Sequence, residues 1–140
     1  MEEEPEMVDS LVFELNNLKK SDVFSGISRE MCSFSADDYA RKIETLEYET
    51  TFDTHDIQQE CVQSGIWPEN FVTYPEFFES EWSSLDSYLK HRDADMHTDF
   101  YRLSWYENCA SPEKALSFQL EMIAKSKQII DELEAAGEGI

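Results

Sequence analysis

Residues 35–65 read SADDYARKIETLEYETTFDTHDIQQECVQSG. Ser35 suits a helix N-cap, and Asp37 and Asp38 fall in the first turn, where the helix dipole favours acids. Tyr39, Ile43 and Leu46 continue at helical spacing. Over 43–52 the sequence also alternates, with Leu46, Tyr48, Thr50 and Phe52 on one side, the signature of a strand. A short strand near 44–52 is therefore the competing expectation. Asp53 or Thr54 can then cap a separate helix running to about Ser64, with Gly65 as its stop. The fold class turns on these ten ambiguous residues.

Outward from that stretch the signals are helical. An acidic lead-in at 1–6 is expected to be flexible. Val8, Leu11, Val12, Leu15 and Leu18 follow three-four spacing, and Lys19 and Lys20 sit where a helix C-terminus favours cations. Downstream, Ile66-Trp67-Pro68 reads as an extended link. Pro75 is placed like a first-turn proline, and Phe78, Trp82, Leu85 and Leu89 form a stripe after it. Asp93 is expected to cap the next helix, with Met96, Phe100 and Leu103 facing inward. Ser111-Pro112 starts the longest helix, 112–136, which Gly137 ends. It carries Leu116, Leu120, Ile123 and Ile130 on one side and Phe118, Met122, Ile129 and Leu133 on the other. Such a broad apolar face predicts a central helix contacted from two directions. Four glycines and four prolines, all near these breaks, suit an all-α fold. The expectation is a compact bundle of five to seven short-to-medium helices forming one domain over 7–140.

The net charge of −20 exceeds what solubility asks of a small domain, about 2–8 in magnitude. At 41% hydrophobic, the chain is too apolar for an acidic disordered segment. Nucleic acids and anionic membranes should be repelled, so no direct binding to either is expected. Cys32, Cys61 and Cys109 are three and widely spaced, which argues against a disulfide framework and for a reducing cytoplasm. The first residues lack the basic and apolar runs of a signal peptide, and no apolar stretch approaches a membrane span.

The charge is unevenly placed. Between Lys42 and Lys90 there are eleven carboxylates and no lysine or arginine. A neutral solvated face normally mixes both signs, because opposite charges four apart stabilise a helix. Asp53, Asp56 and Glu60 share one helix face, and Glu76, Glu79 and Asp86 repeat the spacing. Neighbouring acids in such rows lie about 5–6 Å apart, comparable to phosphates along a nucleic-acid strand. The candidate partner-binding residues are Glu44, Glu47, Glu49, Asp53, Asp56, Glu60, Glu69, Glu76, Glu79 and Asp86. The aromatics Trp67, Phe71, Tyr74, Phe77 and Phe78 lie beside them as possible anchors.

Other constellations carry less. Asp53, Asp56 and Glu60 share a face, but His55 points away from it, and no metal motif is present, so no metal or cofactor is expected. His91, Asp93, Asp95 and His97 resemble a polar turn more than a calcium loop, which needs a glycine and a terminal glutamate. No nucleotide-binding or hydrolase signature occurs, and no cysteine has a nucleophile's flanking sequence. An enzyme is the least expected class.

No family motif is matched. In composition the chain is similar to small acidic inhibitors encoded by phages and mobile elements, DNA mimics among them. That likeness implies a non-catalytic inhibitor, of anti-restriction or anti-CRISPR type, acting in the host cytoplasm. Its partner would be a basic protein that handles DNA or RNA. An immunity protein or antitoxin against a basic nuclease has the same electrostatics. A third alternative, an acidic helical adaptor, predicts an apolar site outside residues 44–86.

Overall fold

A computed structural model describes residues 4–69 and 84–138. Among them the fold is all-α, with six helices and no strand. These are α1 (Glu4–Lys19), α2 (Ser21–Arg29), α3 (Ala36–Gln63), α4 (Leu85–Ala94), α5 (His97–Cys109) and α6 (Pro112–Glu138). A 3-10 turn, Met31–Ser33, joins α2 to α3.

The ambiguous stretch is helix throughout. α3 runs unbroken for 28 residues, roughly 42 Å, so neither the strand near 44–52 nor a new start at Asp53 exists. The alternation of Leu46, Tyr48, Thr50 and Phe52 is what makes the segment look extended, yet the threonine hydroxyls along it bond the helix itself. Thr45, Thr50, Thr51 and Thr54 each donate to the carbonyl four residues back, at 2.7–2.9 Å. A threonine that bonds its own helix loses the polar reason to leave it. Ser35 caps the start by accepting from the Asp38 amide at 3.1 Å. At the other end Gly65 takes φ 71°. Its amide bonds Val62 and the Ile66 amide bonds Cys61, a Schellman stop.

α3 is the axis of the fold. It packs against α1, α2, α4 and α5, and α5 packs in turn against α6. α6, expected at the centre, is peripheral. It leaves Leu116, Leu120, Ile123, Ile130 and Leu133 exposed. α1 is turned likewise: Leu11, Leu15 and Leu18 face out, while Asn16 is buried and donates to Thr54 at 3.1 Å. Phe100, expected inside, is exposed.

The stripe from Pro75 to Leu89 does not form one helix. Ser84 is extended and caps α4, accepting from the Ser87 amide at 3.2 Å. Residues 70–83, with Glu76, Glu79 and most of the aromatic run, lie outside the described residues. Asp93 caps nothing; it accepts from Arg102. Between α4 and α5, Met96 holds φ 69°, and the Asp95 carboxylate accepts from the His97 amide at 3.1 Å.

Two links fasten α5. Cys32 and Cys109 form a disulfide across 77 residues, with Cα atoms 5.2 Å apart. This overturns the expectation of unpaired cysteines, whose premise was spacing: the helices bring together what the sequence separates. The cysteines therefore give no ground for a reducing compartment. Beside the disulfide, the Trp105 indole donates to the carbonyls of Met31 and Phe34 at 2.9 and 3.0 Å. Among the described residues no helix is long and apolar enough to cross a membrane.

Candidate functional site

Two polar assemblies tie the helices together, one in the interior and one toward the surface. In the first, Glu44 projects from α3 toward α4 and α5 and is fully buried. It stands four residues after Ala40 and next to Ile43, both buried, so it occupies the packed face of α3. Its carboxylate accepts from Tyr88 at 3.2 Å, Thr98 at 3.2 Å and His97 Nδ1 at 2.6 Å. Arg92 Nε stands 3.9 Å from the same carboxylate and its guanidinium lies 5.1 Å from the Tyr88 ring centroid. Glu47, one turn on, accepts a short hydrogen bond from Tyr101.

The charges respond to one another. The hydrogen bond to Glu44 raises the His97 pKa, against the opposing effect of burial. Burial raises the Glu47 pKa, and the neighbouring Glu44 adds to it. Burial also lifts the Tyr88 and Tyr101 hydroxyls, which stay neutral donors. A buried carboxylate is tolerable only when paired and hydrogen-bonded, and Glu44 has both.

Glu44, Glu47 and His97 bring ligand-type atoms within 4.8 Å of one another. They do not make a convincing metal centre. Arg92 already supplies a cation, and tyrosine and threonine hydroxyls occupy the oxygens a metal would need. The set works as a hydrogen-bonded and charge-paired network joining three helices.

The second assembly is an ion-pair hub. Arg102 on α5 bonds Asp37 of α3 at 2.7 Å, Asp93 of α4 at 2.5 Å and Asp99 at 2.8 Å. Lys125 of α6 bonds Asp99 at 3.0 Å and the Asp93 carbonyl at 3.1 Å. Four helices thus meet at two cations.

The acidic candidates divide between interior and surface. Glu44 is buried and Glu47 half-buried, so Glu44 has no surface to offer a partner. Glu49, Asp53, Asp56 and Glu60 are exposed at spacings of four, three and four on α3. They make a single row about 16 Å long. Lys20, from the end of α1, reaches one end of it, 3.0 Å from Asp53 and 3.8 Å from Glu49. Asp56 and Glu60 have no ion pair among the described residues. Glu69 is exposed beyond α3, and Asp86 is exposed with Arg41 4.0 Å away. Because Ser84 is extended, Asp86 does not continue a helical row from Glu76 and Glu79.

Sequence reasoning missed three things here. Lys20 reaches the acidic third from the end of α1, and Arg92, two residues past its end, folds back onto Glu44; one-dimensional charge counting registers neither contact. The buried position of Glu44 was available from the wheel of an uninterrupted α3, once the strand was set aside. Spacing shows that α1 and α6 each have an apolar face but not what it meets, and α6, expected at the centre, turns much of its face outward as α1 does.

No protein-family model, curated protein or solved structure matches the chain.

Proposed function

We propose that the protein is a non-catalytic binder of a basic protein surface, and that the carboxylate row on α3 is its contact. The observation that carries this is the exposed alignment of Glu49, Asp53, Asp56 and Glu60, of which Asp56 and Glu60 are free of ion pairs among the described residues. A row of this pitch matches Lys and Arg side chains set to hold successive phosphates. In its specific form the partner is a DNA- or RNA-handling protein, and the effect is competitive exclusion of nucleic acid in the cytoplasm where that partner works. The surface is smaller than the sequence implied, since Glu44 is internal and Lys20 screens one end. Long-range charge still favours fast, salt-sensitive association.

The test is capture from lysate at low salt with the wild-type chain and with an Asp56→Lys/Glu60→Lys variant as baits. A basic nucleic-acid-handling protein should be retained by the first, lost by the second and released by added duplex DNA. Equal retention by both baits, or indifference to DNA and salt, removes the α3 row from function.

One observation favours a second reading, the helical adaptor. Met7, Leu11, Leu15 and Leu18 are exposed along one side of α1, outside residues 44–86. Exposed apolar stripes on monomers commonly mark contact sites. A Leu11→Asp/Leu15→Asp bait that loses a salt-resistant partner would favour the adaptor over the inhibitor.

A further inference from the structure

The disulfide closes the fold where solvent reaches it. Cys32 is exposed in the turn between α2 and α3, and Cys109, the last residue of α5, is half-buried. An exposed disulfide is open to direct attack by thiols, whereas a buried one waits for the chain to open. The fold also provides for the reduced form. The turn keeps its own bonds: the Ser33 amide donates to the Glu30 carbonyl at 2.8 Å and the Phe34 amide to the Met31 carbonyl at 3.1 Å. The Trp105 indole holds the Met31 and Phe34 carbonyls, one on each side of Cys32, without help from sulfur. The Cys32 sulfur lies 3.9 Å from the Asn108 carbonyl, so a thiol there has an acceptor in the last turn of α5. Arg102 fastens α5 to Asp37 and Asp93 independently. What the S–S bond restrains is the corner from Cys109 to Ser111 that leads into α6.

We propose that Cys32–Cys109 is a reversible redox latch on this corner, opened by a dithiol without unfolding of the domain. One thiolate of the dithiol attacks the exposed Cys32 sulfur, forms a mixed disulfide there and expels Cys109 as a thiolate, which takes a proton from solvent. The second thiol of the dithiol then attacks its own sulfur in the mixed disulfide. Cys32 is released as a thiol and the dithiol departs as a disulfide. Two electrons and two protons pass to the cysteine pair, and the same exchange run backwards closes the latch. The acidic row takes no part in this, since Glu49 lies about 20 Å along α3 from Ser35. The latch and the row therefore stand or fall separately.

The test is the rate at which dithiothreitol reduces the full chain, read by acid quench and thiol counting in a Cys61→Ser background so that the pair alone reports. Direct attack makes the rate proportional to dithiothreitol and leaves it within about twofold in the destabilised variants Glu44→Ala and Gly65→Ala. A disulfide reached through global unfolding would instead be reduced about 10²–10³-fold faster in Glu44→Ala and about fivefold faster in the milder Gly65→Ala. A rapid quench after addition of a monothiol, glutathione, should find the first adduct on Cys32. The reduced protein should keep its circular dichroism and its Trp105 indole resonance, with amide shifts changing around residues 31–35 and 105–114. Reoxidation should restore the starting spectrum. Acceleration in the destabilised variants, a first adduct on Cys109, or loss of the fold on reduction overturns the proposal.

Discussion

Replacing Glu44 by alanine is the most demanding probe of the interior. The variant removes the acceptor for Tyr88, Thr98 and His97 and leaves Arg92 without its carboxylate. Breaking a buried charge pair from one side costs about 3–5 kcal/mol, because the remaining charge stays desolvated. For a domain of this length each kcal/mol moves the melting temperature by roughly 3–5 °C, so a fall of about 10–20 °C is expected. Urea unfolding should show the midpoint falling with its slope unchanged. Glu60→Ala, on the exposed row of the same helix, serves as control and should stay within about 0.5 kcal/mol. A loss below about 1 kcal/mol for Glu44→Ala would refute the reasoning, since it would mean that the carboxylate is effectively solvated. The cycle with His97→Gln adds a second check. The pair should couple by about 0.5–3 kcal/mol, and strict additivity would show that His97 and Glu44 do not interact.

Stability should fall as pH rises. His97 has a raised folded pKa, so its contribution is complete below its unfolded value of 6.5 and fades as pH climbs through the folded one. Glu47, also raised, has the same sign from 4.5 upward. Melts between pH 6 and 8 should therefore decline in the wild type and flatten in His97→Gln; a wild-type melting temperature that increases with pH would reverse the assignment. Reduction of Cys32–Cys109 should destabilise the fold by up to about 4.5 kcal/mol, the chain-entropy estimate for its 77-residue span. Melts with and without reductant, alongside a thiol count, check this; three free thiols in the untreated protein would contradict the pairing. Gly65→Ala should cost about 1 kcal/mol by urea unfolding, because φ 71° penalises a side chain even where nothing crowds it. A neutral result would mean that the Schellman turn is not formed in solution.

Punctuation was the legible part of the sequence. Ser35, Gly65 and Ser111-Pro112 mark ends where the structure has them, because caps and stops are local chemistry. The all-α class followed from them. Continuity across 43–54 was harder, since β-branched threonines fit both periods until their back-bonding is known. Orientation was hardest. α1 and α6 are amphipathic as read, yet each turns much of its apolar stripe outward, and that depends on neighbours the sequence does not rank. For the acidic site, the exposed row at Asp53, Asp56 and Glu60 was visible in spacing alone. The withdrawal of Glu44 into the core needs the wheel of an unbroken α3, because a strand over 44–52 puts it on no helical face.

The composition of the interior also fixes the response to temperature. Among the described residues, the buried set contains six apolar residues, three of them alanine, against seven polar or charged ones. Opening such a centre hydrates hydroxyls, amides and carboxylates along with hydrocarbon, and polar hydration lowers the heat capacity that apolar hydration raises. The unfolding increment should fall short of the about 1.7–2.1 kcal/mol/K usual for 140 residues. A shallow free-energy curve follows, with resistance to cold and a gradual weakening on warming.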